Sequence, residues 1–207
     1  MTTKSKWKMI ALITILIGMQ ANRLTAENTS ETTALILIDI QDFYFEGARP
    51  LNNPEAAAGN AKKLLDLFRS EKRLVVHVRH QSDTLSEIHA LVKPNADEKV
   101  ITKNKVNAFE GTDLLPFLRE HNVTHLVLCG MMTHMCLEAA VRAASDYGFK
   151  CTVIGDACTT RDLVYGGKTI SADDVHLSTL CTLDRYYGRV ISTEEYLNSL
   201  KEPTAQK

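Results

Sequence analysis

The sequence predicts an α/β domain, a three-layer sandwich whose mostly parallel, Rossmann-like sheet of about six strands has helices on both faces. Three observations lead there. Short apolar runs such as Ala34-Leu35-Ile36-Leu37-Ile38 lack the polar alternation of a strand with one wet face, so they read as strands buried on both sides. They alternate with helical segments at regular spacing, the pattern of right-handed crossovers. Chemically apt residues follow three of these runs, at the carboxyl ends where such sheets bind ligands.

The first residues differ from the rest. Met1 to Lys8 carries Lys4, Lys6 and Lys8 with no acidic residue, and Met9 to Met19 is an apolar run. Ala21 and Ala26 follow as small residues suited to cleavage. Residues 1–26 thus have the layout of a secretory signal peptide, with an apolar run too short for a full membrane span. The alternative is an uncleaved N-terminal anchor. The expected location is exported, periplasmic or secreted, with no stable membrane association after cleavage. The folded domain is expected to occupy residues 31–200, and 201–207 form a tail.

Along the domain, Ala34–Ile38 is the first strand and ends at Asp39. Pro54–Ser70 is an amphipathic helix with Leu64, Leu65, Leu67 and Phe68 on its apolar side. Leu74–Val78 and Lys99–Thr102 are the next strands, and Asp113–Glu120 is helical despite Pro116. His125–Cys129 is the fourth strand, followed by a helix from Cys136 to Tyr147 that Gly148 ends. Cys151–Ile154 is the fifth strand, stopping at Gly155-Asp156. Ser171–Arg185 is a helix and Arg189–Ser192 the last strand.

The chain has 207 residues, 44% of them hydrophobic, with a formal net charge of -1. That suffices for one core and gives no electrostatic case for nucleic acid or an anionic membrane. The five cysteines form no CxxC pair. Their odd number leaves at least one thiol unpaired even in an oxidising compartment. Cys129 and Cys151 fall in apolar runs and read as buried and reduced.

Cys136 is the informative one. It follows Gly130-Met131-Met132-Thr133-His134-Met135, where a strand turns into a helix. Unpaired N–H groups at a helix start favour an anion and lower a thiol's pKa. Asp39, at the mouth of an apolar strand, is partly desolvated and can act as a base. Lys103, with Lys105 as its rival, follows the third strand. An acid, an ammonium and a thiol make a working set: the acid takes the thiol proton, the ammonium steadies both anions, and the thiolate attacks a carbonyl.

The motifs that contain these residues resemble the isochorismatase-like cysteine hydrolases. They are Ile38-Asp39-Ile40-Gln41-x-x-Tyr44-Phe45-x-Gly47; Lys103 six positions before Phe109 in Asn107-Ala108-Phe109-x-Gly111-Thr112-Asp113-Leu114; Gly130-x-x-Thr133-x-x-Cys136; and Gly155-Asp156-Ala157-Cys158. The resemblance spans Thr33 to about Leu200 and is closest to streptothricin hydrolase-like and unassigned cysteine hydrolases. It implies a triad of Asp39, Lys103 and Cys136, with Lys103 preferred to Lys105 by its spacing to Phe109. It also implies a cis peptide between Met131 and Met132, and an oxyanion hole from the N–H groups of Met132 and Cys136.

A cysteine argues for the amide-cleaving branch over vinyl-ether hydrolysis, in which a thiolate has no evident task. The metal-binding branch carries an Asp-x-His after the first helix, and none stands at that place in this chain. The remaining candidates are His77, His80, Asp83 and His89, and His77 and His80 point to opposite faces of a strand. No metal and no cofactor are expected. The aromatics near strand ends are Phe43, Tyr44, Phe45 and Phe109, some of which serve as core. Gln41, Phe45, His89, Phe109 and His134 are the candidates for substrate binding, and Thr133 reads as a structural brace. The expected function is cleavage of an amide-type C–N bond in a small molecule, in a homo-oligomer, dimer or tetramer. The alternatives are a vinyl-ether hydrolase or a non-catalytic small-molecule or thiol-binding protein of the same fold.

Overall fold

A computed structural model describes residues 32–46, 50–84 and 86–201. The leader read in residues 1–26, Gly47 and nearly all of the tail lie outside the described residues. The strands are β1 (Thr32–Ile38), β2 (Leu74–His80), β3 (Lys99–Lys103), β4 (Val123–Met131), β5 (Lys150–Thr159), β6 (Leu163–Tyr165), β7 (Lys168–Ile170) and β8 (Arg189–Ile191). The helices are α1 (Pro54–Ser70), α2 (Leu114–Glu120), α3 (Glu138–Asp146), α4 (Ala172–Leu183) and α5 (Thr193–Ser199).

Six strands form one sheet in the order β3-β2-β1-β4-β5-β8, and every neighbouring pair is parallel. Hydrophobic burial explains its centre. Ala34 to Ile38 in β1 are at most 2% exposed, because helices cover both faces. On α1, Ala57, Ala58, Ala61, Leu64, Leu65 and Phe68 are buried against the sheet. Each such leucine stabilises the fold by about 1.5–3 kcal/mol through burial.

The strand order reverses direction between β1 and β4, which opens a crevice at the carboxyl ends of those strands. Gly130 makes the two strands fit there. It lies opposite Ile38, has φ of 130°, and a Cβ on it would meet the Ile38 carbonyl oxygen at 2.0 Å. Only glycine allows that approach.

Three elements differ from the sequence-based expectation. β5 continues past Gly155-Asp156 to Thr159. Asp156 stays in the strand because its carboxylate accepts from the N–H and hydroxyl of Thr193, at 2.7 and 2.8 Å, and so anchors the start of α5. The α5 helix itself was not expected, although Ser192 and Glu195 form a capping box at its start. Nor was the β6–β7 hairpin, which turns at Gly166-Gly167 with φ of 58° and 74°. The five cysteines are all free, and only Cys181 is exposed. Among the described residues, no helix is long and apolar enough to cross a membrane.

Candidate active site

Four consecutive strand ends build the site. β1 ends at Asp39, whose φ of 47° breaks the strand and whose N–H donates to the Val78 carbonyl at 2.9 Å. Aspartate tolerates this left-handed region better than most residues. Its side chain is wholly buried. Two strands away, Lys103 closes β3 with its side chain also fully buried. Between them β2 ends at His80, the register partner of Lys103. On the other side, β4 leads through a cis Met131–Met132 peptide into a π-type turn at Thr133–Leu137, which contains Cys136.

Lys103 joins these ends. Its Nζ lies 2.7 Å from Asp39 Oδ2, 3.3 Å from Cys136 Sγ, 3.1 Å from the Lys105 carbonyl and 3.3 Å from His80 Nδ1. The last three are aligned as hydrogen bonds. The Asp39 contact is an ion pair by distance but lacks that alignment, and neither Asp39 oxygen has a hydrogen-bond partner among the described residues. The carboxylate is held chiefly by the charge of Lys103, with the Cys136 thiol as its other interacting neighbour.

Burial governs the protonation of the site. It raises the Asp39 carboxyl above the ordinary carboxylate range, and the Lys103 ammonium only partly offsets this. Burial, followed by the Asp39 charge, pushes the Cys136 thiol up to about 12, against the pull of Lys103. The lowering expected from a helix start is thus outweighed by desolvation, and the resting thiol holds its proton. Deprotonation needs a nearby base, and the Asp39 carboxylate, which interacts with the thiol, is the candidate.

Cys136 opens onto a cavity of about 340 Å³ lined by Phe43, Tyr44, His80, Gln81, Ser82, Val106 and Met135. A larger cleft of about 810 Å³ beside the β6–β7 hairpin is lined by residues such as Asn52, Arg161 and Asp173. It contains neither the thiol nor the buried ion pair, so volume alone does not make it the site.

The isochorismatase-domain profile matches residues 33–195. The chain belongs to the isochorismatase family. A Bacillus subtilis isochorismatase family protein, YddQ, is 43% identical over 80% of this chain and 99% of its own. A crystal structure of an isochorismatase hydrolase from Oleispira antarctica superposes with a TM-score of 0.79 at 40% identity, covering 84% of this chain and all of that one. Relatives named for an activity include a maleamate amidohydrolase of Pseudomonas putida, 28% identical over 81% of this chain and 86% of its own. A streptothricin hydrolase of Streptomyces noursei is 27% identical over 67% of this chain and 59% of its own. The protein is an isochorismatase-family hydrolase.

Within this isochorismatase-family site, several sequence-derived candidates stand elsewhere. Gln41 is wholly buried, and its amide is engaged at both ends: Nε2 donates to the carbonyls of His80 and Ser86, and Oε1 accepts from the His80 N–H. It braces the backbone around His80 and Ser86. Phe45 stacks on His89, with centroids 3.7 Å apart, and His89 lines a separate cleft with Asp42 and Arg79. Phe109 is 7% exposed and packs with Tyr147 and Phe149 as core. His134 turns its Nδ1 to the Thr160 hydroxyl at 2.6 Å. Thr133 bonds His176 at 2.9 Å, which fits a brace. Lys105 is exposed and contributes only its carbonyl.

The cavity walls that sequence reasoning did not select are Phe43, Tyr44, His80, Val106 and Met135. A short 3-10 turn at Asp42–Tyr44 sends Phe43 and Tyr44, rather than Phe45, toward Cys136. His80 had a readable signal. In a parallel sheet the last residue of β2 falls beside the last residue of β3, which is Lys103. His77 lies on the other face and pairs with Glu98 at 2.9 Å.

Proposed function

We propose that the chain is a cysteine amidohydrolase that cleaves an amide-type C–N bond in a small molecule. One observation carries the reading: the buried Lys103 ammonium touches both the Asp39 carboxylate, at 2.7 Å, and the Cys136 sulfur, at 3.3 Å. Asp39 accepts the thiol proton, breaking the S–H bond and forming O–H. The Cys136 thiolate, paired with Lys103, adds to the amide carbonyl. The Met132 and Cys136 N–H groups serve as the oxyanion hole, each donor worth about 3 kcal/mol in the transition state. As the intermediate collapses, Asp39 returns its proton to the departing amine. Water, deprotonated by Asp39, then releases the acid from the acyl-cysteine. Side chains, two backbone N–H groups and water carry every step.

Two lines of support favour an acyl substrate. A thiolate is suited to an acyl carbon and is idle on a vinyl ether. Relatives named as a maleamate amidohydrolase and a streptothricin hydrolase are similar over most of this domain. The reading includes export, supported by Lys4, Lys6 and Lys8 before the apolar Met9–Met19, and a dimer or tetramer. The test is a panel of small amides, including nicotinamide, ureido and carbamoyl compounds and lactams, with Cys136→Ala as the blank. Turnover falls by about 10⁴-fold or more in that variant, as for other removed nucleophiles, while its unfolding midpoint stays near wild type. Full activity without the thiol overturns the mechanism and favours vinyl-ether hydrolysis. A thiol that alkylates readily in a protein inert to every amide favours a binding protein.

A further inference from the structure

We infer that His80 is a substrate-orienting hydrogen-bond donor of this site, selecting small amides that carry a second acceptor such as a carboxylate or carbonyl. The inference deepens the amidohydrolase reading and rests on it for the identity of the substrate. It begins with the donors of Lys103. An ammonium has three N–H groups and no acceptor. Four polar groups surround Nζ, one more than its N–H groups: the Asp39 carboxylate at 2.7 Å, the Lys105 carbonyl, Cys136 Sγ and His80 Nδ1. A ring nitrogen beside an ammonium bonds to it only by accepting, so Nδ1 carries no proton. The imidazole proton is then on Nε2, at the far side of the ring.

The backbone around His80 is fixed to hold this arrangement. Gln41 accepts from the His80 N–H at 2.7 Å and donates to its carbonyl at 3.0 Å. The ring is half-buried and lines the Cys136 cavity, where Phe43, Val106 and Met135 supply apolar wall. A polar hydrogen in such a wall orients a ligand, because an unpaired partner there costs binding. Lys103 thus sets the tautomer of His80, and His80 steadies Lys103 in return. A substrate placing its reacting carbonyl on Cys136 and its second oxygen on His80 Nε2–H satisfies both ends of the cavity.

Two variants separate the two nitrogens. His80→Asn keeps an acceptor near the Nδ1 position and removes the group at Nε2. KM rises about tenfold, one hydrogen bond's worth, while kcat falls less than about threefold. His80→Gln keeps a donor near Nε2 and loses the contact with Lys103; kcat falls about tenfold with little change in KM. Two readouts need no turnover. Nitrogen-15 resonances of the full-length protein, assigned by the loss of one imidazole in His80→Gln, show an unprotonated Nδ1 and a protonated Nε2. Alkylation of Cys136 is faster with iodoacetate, which carries an acceptor, than with iodoethane, which has none, and His80→Asn loses about tenfold of that preference. A protonated Nδ1, or an iodoacetate-to-iodoethane rate ratio that is unchanged in His80→Asn, overturns the proposal, whether or not any amide is hydrolysed.

Discussion

Lys103 decides how the candidate site behaves. Removing one partner of a buried ion pair leaves an uncompensated charge, which costs about 3–5 kcal/mol. Lys103→Met therefore destabilises the domain and removes the main influence that offsets the upward push of burial on the Asp39 pKa. The sign follows for catalysis. Asp39 must be ionised to take the Cys136 proton, so activity is lost as pH falls through a value above the ordinary 3.8. A kcat/KM profile of the wild type shows that raised acid limb, and residual activity in Lys103→Met shows it displaced further upward. An acid limb at or below the ordinary value would mean that another base works.

The order and spacing of Asp39, Lys103 and Cys136 made their meeting legible in the sequence. The pocket walls were not, because they depend on turns just beyond strand ends. The φ of Asp39 and the 3-10 turn after it decide whether Phe43 or Phe45 faces the thiol. Apolar periodicity has no information on either.

At the scale of elements, the joint between β1 and β4 controls where Cys136 stands. Gly130→Ala would drive a Cβ into the Ile38 carbonyl, 2.0 Å away, and the backbone of two central strands would have to part. A loss of about 3 kcal/mol or more, the scale of severe core disruption, is expected in urea unfolding, together with loss of activity. Unchanged stability would show that the strands approach less closely.

A second joint ties β2 and the loop before β3 to α1. Arg69 donates to both Glu98 oxygens at 2.7 Å, the Asn95 N–H donates at 2.8 Å, and His77 lies at 2.9 Å. Burial alone would raise the Glu98 carboxyl, but Arg69, the Asn95 N–H and His77 bring it down to about 2. A depressed carboxylate stabilises the fold above its unfolded value of 4.5, and this contribution is lost as pH falls toward about 2. Glu98→Gln should cost about 2 kcal/mol at neutral pH, as for a charged hydrogen bond. It should also flatten stability between pH 4.5 and about 2. A variant with the same acid profile as wild type would contradict the assignment.

The ends of α1 were readable because Pro54 and the leucine stripe mark one amphipathic run. Gly155 and Asp156 look like a strand stop, so the sequence alone makes β5 too short. What keeps them in the strand is a bond to Thr193, distant in sequence. The β6–β7 hairpin leaves no pattern in the sequence, because Val164 and Tyr165 are 72% and 85% exposed and no buried face shapes its residues.

For the whole molecule, the parallel sheet places one crevice at its strand-order reversal, and chemistry from β1, β2, β3 and the turn after β4 meets there. The alternation of strands and helices made this architecture legible before any side-chain contact was known. The proposed export is tested by the N-terminus of protein recovered outside the cytoplasm, expected to begin after Ala21 or Ala26. A chain retained intact inside the cell would contradict it. Sedimentation of the processed protein is expected to give a dimer or tetramer, and a monomer would remove that part of the proposal.

The most direct test of the central claim is intact-mass and peptide mass spectrometry during turnover of a hydrolysed amide, quenched in acid. The account predicts an adduct equal to the acyl portion of the substrate, located on the peptide that contains Cys136 and absent from Cys136→Ala. Sustained hydrolysis by Cys136→Ala, with no acylated cysteine at any time in the wild type, would contradict it.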